Sequence, residues 1–435
     1  MGPVASDPRI RTRLRKPTAG RPRPRGSGTA CRQPARSSHQ HRSRHREQLN
    51  AHALTSAPVA LSTTSTQHRR YPAGSVPARP ALQPRRHPRT VKTYARDFFR
   101  IPSPRGHRTP ALRVAAGIGI PLIILVLMGR TDLTIFAVFG ALTGVFGRVE
   151  PHWLRLKHQT FAGILMSLSI VGGVISGGYG INGWALVGIG TLIAGVLSIV
   201  ADVLRLRPSG PLFYIFAFMA TASVPFEGQL WEAALTGVAS VGVALVLGFM
   251  GRLWARRTEP DRQLAEAPLP AWSRIYAQAG RYVVALGLAG SIGVMSGLGH
   301  HYWAMVAAAA PISAVGASGG LVRAVYRIIG TYAGVLLTAA LLTIQWPPLG
   351  LAFLIAALQF AGEVFVISHY SIALVFMTPV ALMMTEFVAP GPTGTLVADR
   401  ALETTIGAVI AFFVILLTTR KQRAQERSLR QTQTN

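Results

Sequence analysis

The chain has 435 residues, of which 49% are hydrophobic and only 14% charged, and its formal net charge is +29. So low a charge density cannot clothe most of the chain in a water-soluble surface, which excludes an ordinary soluble globular protein. The excess of Arg resembles a nucleic-acid signature, but Arg is concentrated before Leu112 and in short gaps between apolar runs, the layout of a membrane protein.

Residues 1–110 are rich in Arg, Pro, Ser, Gln and His, and the first aromatic residue is Tyr71. With little apolar content to offset the entropy of folding, this leader is predicted to be disordered. It has no apolar core of a secretory signal, so the first membrane helix is expected to serve as the targeting element. It also lacks interleaved aromatics for base stacking, and no specific nucleic-acid partner is expected. The next methionine after Met1 is Met128, inside the first apolar run. The composition before it is what a high-GC reading frame yields by default, so translation is expected to start at a valine codon, Val91 first and Val76 second. Cys31 is the single cysteine, and His39, His41 and His45 have no metal-ligand spacing. No disulfide, metal or cofactor is therefore expected.

From Leu112 onward, apolar runs of roughly bilayer-spanning length alternate with short polar breaks. The first set is Leu112 to Met128, Leu133 to Phe146, Thr160 to Ser176, Trp184 to Ala201, Leu212 to Val224 and Leu230 to Met250. The second set is Tyr282 to Leu298, Trp303 to Ser318, Ile328 to Ile344, Leu349 to Val366, Tyr370 to Phe387 and Leu402 to Leu417. Backbone polar groups need internal partners in lipid, so these runs are predicted as helices. The resulting fold class is an all-α integral membrane protein of about twelve transmembrane helices. Its expected divisions are the leader 1–110, a first six-helix half 111–252, a cytoplasmic connector 253–278, a second six-helix half 279–419 and a basic cytoplasmic tail 420–435.

Basic residues set the orientation, because short positively charged loops stay in the cytoplasm. Arg148, Arg155 and Lys157, then Arg205 and Arg207, then Arg252, Arg256, Arg257 and Arg262, then Arg323 and Arg327, and finally Arg420, Lys421 and Arg423 all fall on one side. Four intervening loops hold neither Lys nor Arg, which predicts both termini in the cytoplasm; Arg130 and Arg400 are the exceptions. An internal repeat joins the halves: Thr160-Phe161-Ala162-Gly163-Ile164-Leu165 echoes Thr331-Tyr332-Ala333-Gly334-Val335-Leu336, and Glu232 matches Glu403 at the same offset. Halves with an even number of spans share one orientation, so two parallel repeats about an axis along the membrane normal are predicted.

A transporter's binding site is best signalled by short or Gly/Pro-interrupted spans at matching positions of the two halves. The second and eighth runs fit, with Phe136, Phe139, Gly140 and Gly144 in one and Tyr302, Trp303, Pro311, Gly316 and Gly319 in the other. Aromatics there offer a flat apolar surface to a ring-bearing ligand, although close helix packing and an interfacial aromatic belt would use the same residues. Ionisable groups beside apolar runs are costly and informative. Asp132, Glu363, His369, Glu386, Asp399 and Glu403 are candidate proton-coupling groups, and Arg400 is the candidate counter-ion for an anionic substrate. Local ion pairing would explain each of them equally well. Arg148, Glu150, His152 and Arg155, with Arg323 and Arg327, are expected to form an electropositive cytoplasmic vestibule. There is no Gly-Lys-Ser/Thr phosphate loop, and Gly316-Ala317-Ser318-Gly319-Gly320 lacks the strand-turn-helix setting of a nucleophilic serine.

Gly129-Arg130-Thr131-Asp132-Leu133, Phe139-Gly140-Ala141 and Gly147-Arg148-Val149-Glu150-Pro151-His152 resemble the fusaric acid resistance protein-like family in its compact actinobacterial form. Arg327-Ile328-Ile329-Gly330-Thr331-Tyr332-Ala333-Gly334, Tyr370 through Thr378-Pro379, and Asp399-Arg400 through Glu403-Thr404-Thr405-Ile406-Gly407 resemble its second membrane half. The family is similar to aromatic acid exporters driven by the proton gradient. The resemblance implies efflux of aromatic carboxylates or related compounds across a bacterial plasma membrane. This chain departs from the larger exporters in lacking long cytoplasmic domains.

The leading expectation is a proton-coupled secondary exporter of small aromatic or amphiphilic anions, whose partners are the lipid bilayer and a small organic solute. Self-association is left open. The second reading is a membrane scaffold or envelope-assembly component with no transport cycle. An enzyme would need a catalytic set clustered on one face, which the sequence does not present.

Overall fold

A computed structural model of the chain describes residues 108–148, 150–255, 269–314, 316–388 and 393–434. The leader, its start site and much of the connector lie outside the described residues. Among the described residues the regular elements are all helical. The first half runs α1 (Arg108–Leu127), a 3-10 turn (Thr131–Leu133), α2 (Thr134–Ala141), a second 3-10 turn (Leu142–Val145), α3 (His152–Gly178), α4 (Gly183–Val203), α5 (Leu212–Ser223) and α6 (Leu230–Ala255). The second runs α7 (Trp272–Met295), α8 (Tyr302–Ile312), α9 (Ala317–Leu342), α10 (Pro348–Phe365), α11 (Tyr370–Val388) and α12 (Thr393–Thr434).

By length and composition, 7 helices among the described residues can cross a membrane: α1, α3, α4, α6, α9, α10 and α12. The apolar segments Thr131–Val145, Leu212–Ser223, Tyr302–Ile312 and Tyr370–Thr385 are shorter. The long helices turn large apolar side chains outward. Leu168, Leu192, Leu336, Phe353 and Leu417 are all more than half exposed, an arrangement that water would penalise and lipid tails welcome. Multiple apolar helices with a greasy exterior make this a multi-pass membrane protein.

The short helices occupy the interior. Every residue of α2 and every residue of α8 is buried, as is most of α5. A helix that is apolar all round has no face to give to water, and these are too short to cross lipid alone, so longer neighbours enclose them. The halves are linked by α1 packing on α10, α4 on α7, α5 on α8 and α2 on α11. Small residues bring the short helices close. A methyl group at Gly140 would collide with the Gly237 carbonyl between α2 and α6, and one at Gly407 with the Ala304 carbonyl between α8 and α12.

Several helices extend beyond their apolar runs, α3 reaching back to His152 and α9 to Ala317. α7 starts at Trp272, whose ring stacks on Tyr276 at 5.8 Å, so the helix takes in residues up to Gln278 that the sequence assigns to the connector. α12 continues as helix through the basic segment to Thr434. Beyond α2 the chain reverses at Gly147, which adopts φ +60 with the Arg155 backbone 3.1 Å from where a Cβ would lie. Only glycine takes that conformation without strain in so tight a space, and the turn delivers Arg148 to the interior.

Candidate functional site

The interior helices wall a cavity of about 120 Å³. Phe139 of α2, Phe213 and Phe216 of α5, and Tyr302 and Trp303 of α8 supply its aromatic lining; Met377, Val380, Ala381, Met384 and Thr385 of α11 supply the opposite side. The rings brace one another. Phe139 meets Phe216 edge-on at 4.7 Å, Phe216 meets Trp303 edge-on at 4.7 Å, and Tyr302 stacks on Trp303 at 5.2 Å. At about 120 Å³ this space is somewhat smaller than an apolar cavity of roughly 150 Å³ that takes up benzene, so it is of the order of one small ring.

Gln359 and Glu363 of α10 carry the polar part of the lining. One turn apart on the same helix face, they are joined by a hydrogen bond of 3.0 Å from the Gln359 amide to the Glu363 carboxylate. The other carboxylate oxygen is held by the Arg148 guanidinium, which also donates to the Glu363 carbonyl at 2.9 Å. Both members are buried, with side-chain exposures of 7% for Arg148 and 2% for Glu363. The Arg148 Nε has no hydrogen-bond partner among the described residues. Behind it, Arg113 of α1 donates to the Arg148 carbonyl at 3.3 Å.

The remaining members of the sequence-predicted vestibule divide. Around the start of α3, Arg155 donates to His152 Nδ1 at 2.6 Å and to the Gly248 carbonyl at 3.0 Å, while Glu150 accepts from His158 Nδ1 at 2.6 Å. Arg323 and Arg327 gather on α11 instead. Arg323 lies 4.3 Å over the Tyr370 ring, and Arg327 donates to the Tyr370 hydroxyl at 3.0 Å.

Other expected residues lie off the cavity wall. Phe136 is buried against Phe226, ring centres 5.4 Å apart, and Pro311 sits in the last turn of α8 against Gly320 of α9. Arg400 lies 3.7 Å over the Trp303 ring, so it supports the wall without lining the space. Glu403, one turn further along α12, is fully buried near Arg400. Asp399 faces the turn at Gly299, beside His300. Asp132 is a partly exposed partner of Arg130 at 3.0 Å, and Arg130 also pairs with Glu232 at 2.6 Å. Those two carboxylates raise the Arg130 pKa. His369 is buried and stacks on Tyr326 at 5.8 Å. The side chain of Glu386 lies outside the described residues.

Sequence reasoning passed over Phe213, Phe216, Gln359 and the α11 lining residues Met377, Val380, Ala381, Met384 and Thr385. A signal for α5 existed, because its apolar run is as short as those of α2 and α8 and carries several aromatics. Gln359 is marked only by its spacing, one helical turn before a carboxylate.

Residues 288–414 match the model of the family described as fusaric acid resistance protein-like. A curated relative, the uncharacterized membrane protein YvaC of Bacillus subtilis (strain 168), is 31% identical over 150 residues. That match covers 34% of this chain and spans 24% of the relative's length. No solved structure matches the chain. That similarity to the fusaric acid resistance protein-like family runs from the middle of α7 into α12 of this membrane protein.

Proposed function

We propose that the chain is a secondary transporter, a proton-coupled exporter of small aromatic or amphiphilic organic anions acting in a bacterial plasma membrane. The observation that carries this reading is a cavity sized for one ring, lined by five aromatic residues and bordered by the buried carboxylate Glu363. Rings bind rings through offset and edge contacts, and a carboxylate in the interior of a membrane protein is a standing candidate for moving protons. The domain match and the membrane relative are consistent with transport.

The architecture proposed for this work is twelve spans in two parallel six-helix repeats, α1 to α6 and α7 to α12. Helix pairing supports it. The contacts α1 with α2, α1 with α6, α2 with α6, α3 with α5 and α3 with α6 recur as α7 with α8, α7 with α12, α8 with α12, α9 with α11 and α9 with α12. The cross-contact of α1 with α10 has its counterpart in α7 with α4. Such an arrangement lets the halves rock about a shared cavity. The alternation of basic loops favours both termini in the cytoplasm, with lipid and a small organic solute as the partners.

The test is a panel of aromatic carboxylates and hydrophobic drugs offered to vesicles of known orientation, with proton gradients of either sense. The reading expects flux of ring-bearing anions that responds to the gradient. A scaffold would give no flux for any compound in either condition.

A further inference from the structure

We propose that Arg148 is the anion-binding group of this cavity, and that Glu363 is its resident occupant, displaced one for one by a substrate carboxylate while taking up one proton. This rests on the transport reading above and adds the subsite and the sense of coupling.

Three observations lead there. Glu363 borders the cavity and Arg148 does not, so Glu363 stands between the aromatic walls and the guanidinium. Arg148 is buried, and its Nε lacks a partner, so the guanidinium retains a donor beyond those it spends on Glu363. Once Glu363 lets go, that Nε together with a released Nη offers an edge that suits a carboxylate, which accepts through two oxygens at once. Finally, the cavity is of the order of one ring in size and Glu363 is part of its lining, so a benzoate-like anion with its ring among Phe139, Phe216 and Trp303 is taken to turn its carboxylate toward the Glu363 end.

Charge balance ties substrate binding to proton uptake. In the empty site one guanidinium faces one carboxylate, and the net charge is zero. When a second carboxylate takes Arg148, Glu363 is left buried without its cation, and an unpaired buried charge is expensive. Its neighbours offer no replacement. Gln359 on α10 donates a neutral hydrogen bond, and Tyr302 on α8 is an uncharged hydroxyl. The α11 wall is Met, Val, Ala and Thr, and Arg113 of α1 is directed at the Arg148 carbonyl. Glu363 therefore binds a proton as its bond to Arg148 breaks and the substrate's bond to Arg148 forms. One proton and one monoanion occupy the site together, the loaded site is again neutral, and transport is electroneutral. Because the proton leaves with the anion, net export requires an outward anion gradient that exceeds any inward proton gradient, and the coupling is one proton per anion moved in the same direction.

The experiment uses the purified full chain in detergent, with benzoate and the neutral isostere benzamide, at pH values where benzoate is ionised. A pH indicator in weak buffer reads proton uptake on binding. The expected result is about one proton taken up per benzoate bound and none with benzamide. E363Q should bind benzoate without proton uptake and with an affinity that no longer varies with pH. R148M should weaken benzoate at least about tenfold more than it weakens benzamide. Should either single variant fail to fold, R148M/E363M, which removes both charges, should bind benzamide and not benzoate. Benzoate binding without proton uptake in the native chain, or benzoate binding retained by R148M or by the double variant, overturns the proposal and leaves the transport reading standing. If no aromatic compound binds the native chain and none moves in vesicles, the transport reading itself fails and takes this proposal with it.

Discussion

Arg148 and Glu363, 215 residues apart, form a buried ion pair that joins the turn after α2 to α10. It ties the two halves of the chain together by opposite charges beside the aromatic cavity, and its energetics are testable apart from any transport assay. Removing one partner leaves the other charged and buried, so Glu363→Ala or Arg148→Ala should each destabilise the protein by about 3–5 kcal/mol. Replacing both with Met should cost much less, since a hydrophobic pair of similar volume is often neutral. Thermal unfolding of the three variants in detergent checks this. Equal losses in all three would mean that packing, not charge, sets the cost.

Gly140 lies where α2 and α6 touch backbone to backbone, and a methyl group there would meet the Gly237 carbonyl. Gly140→Ala should therefore destabilise by about 1–3 kcal/mol through overpacking. Gly280→Ala, where a Cβ meets nothing within 4 Å, should be neutral or slightly stabilising because alanine favours helix. The comparison is read as the difference in unfolding midpoint between the two variants.

Phe139 supplies one face of the cavity and braces Phe216. Phe139→Leu keeps an apolar wall but removes the ring-to-ring contact, worth about 0.5–1.5 kcal/mol. Benzoate affinity should fall by up to about tenfold, while binding of a cyclohexane carboxylate should change little. Equal loss for both ligands would assign the effect to cavity shape.

His300 and His301 lie in the turn between α7 and α8, and burial lowers the pKa of both. For His300 the nearby Asp399 carboxylate works against that shift and Arg400 adds to it; for His301 the neighbouring His300 adds to it. A histidine whose folded pKa is depressed binds protons less readily in the native state than in the unfolded chain. Stability should then fall as pH drops below about 6.5, the unperturbed value, through the folded pKa values. The unfolding midpoint of the native chain should decline between pH 7.5 and pH 5.5, and H300N/H301N should flatten that decline. An unchanged slope in the variant would place the acid sensitivity elsewhere.

The second and eighth runs stand out in the sequence through length, glycine and aromatics, but that α2 and α8 are enclosed by longer helices on every side is a tertiary fact. Glu363 was legible for a different reason: a carboxylate in an apolar run is costly unless something holds it. Its holder was not. Arg148 reads as one of a row of topology-setting cations, and nothing local distinguishes it from Arg155 or Arg323. Its pairing depends on a turn at Gly147 and on α1 packing against α10, both tertiary facts. Arg400 illustrates the converse. The sequence marks it as a buried cation, but whether it faces the cavity or backs Trp303 is decided by the rotation of α12.

Under the proposed function, solute passes through the cavity between α2, α5, α8, α10 and α11. Cys31 is the single cysteine of the chain, so Cys31→Ser with Ala381→Cys puts one thiol on the cavity wall with a minimal change in volume. In vesicles carrying this variant, a membrane-permeant maleimide should abolish benzoate flux, and benzoate should slow the labelling while benzamide at equal occupancy does likewise. Undiminished flux after complete labelling of Ala381→Cys would contradict the account.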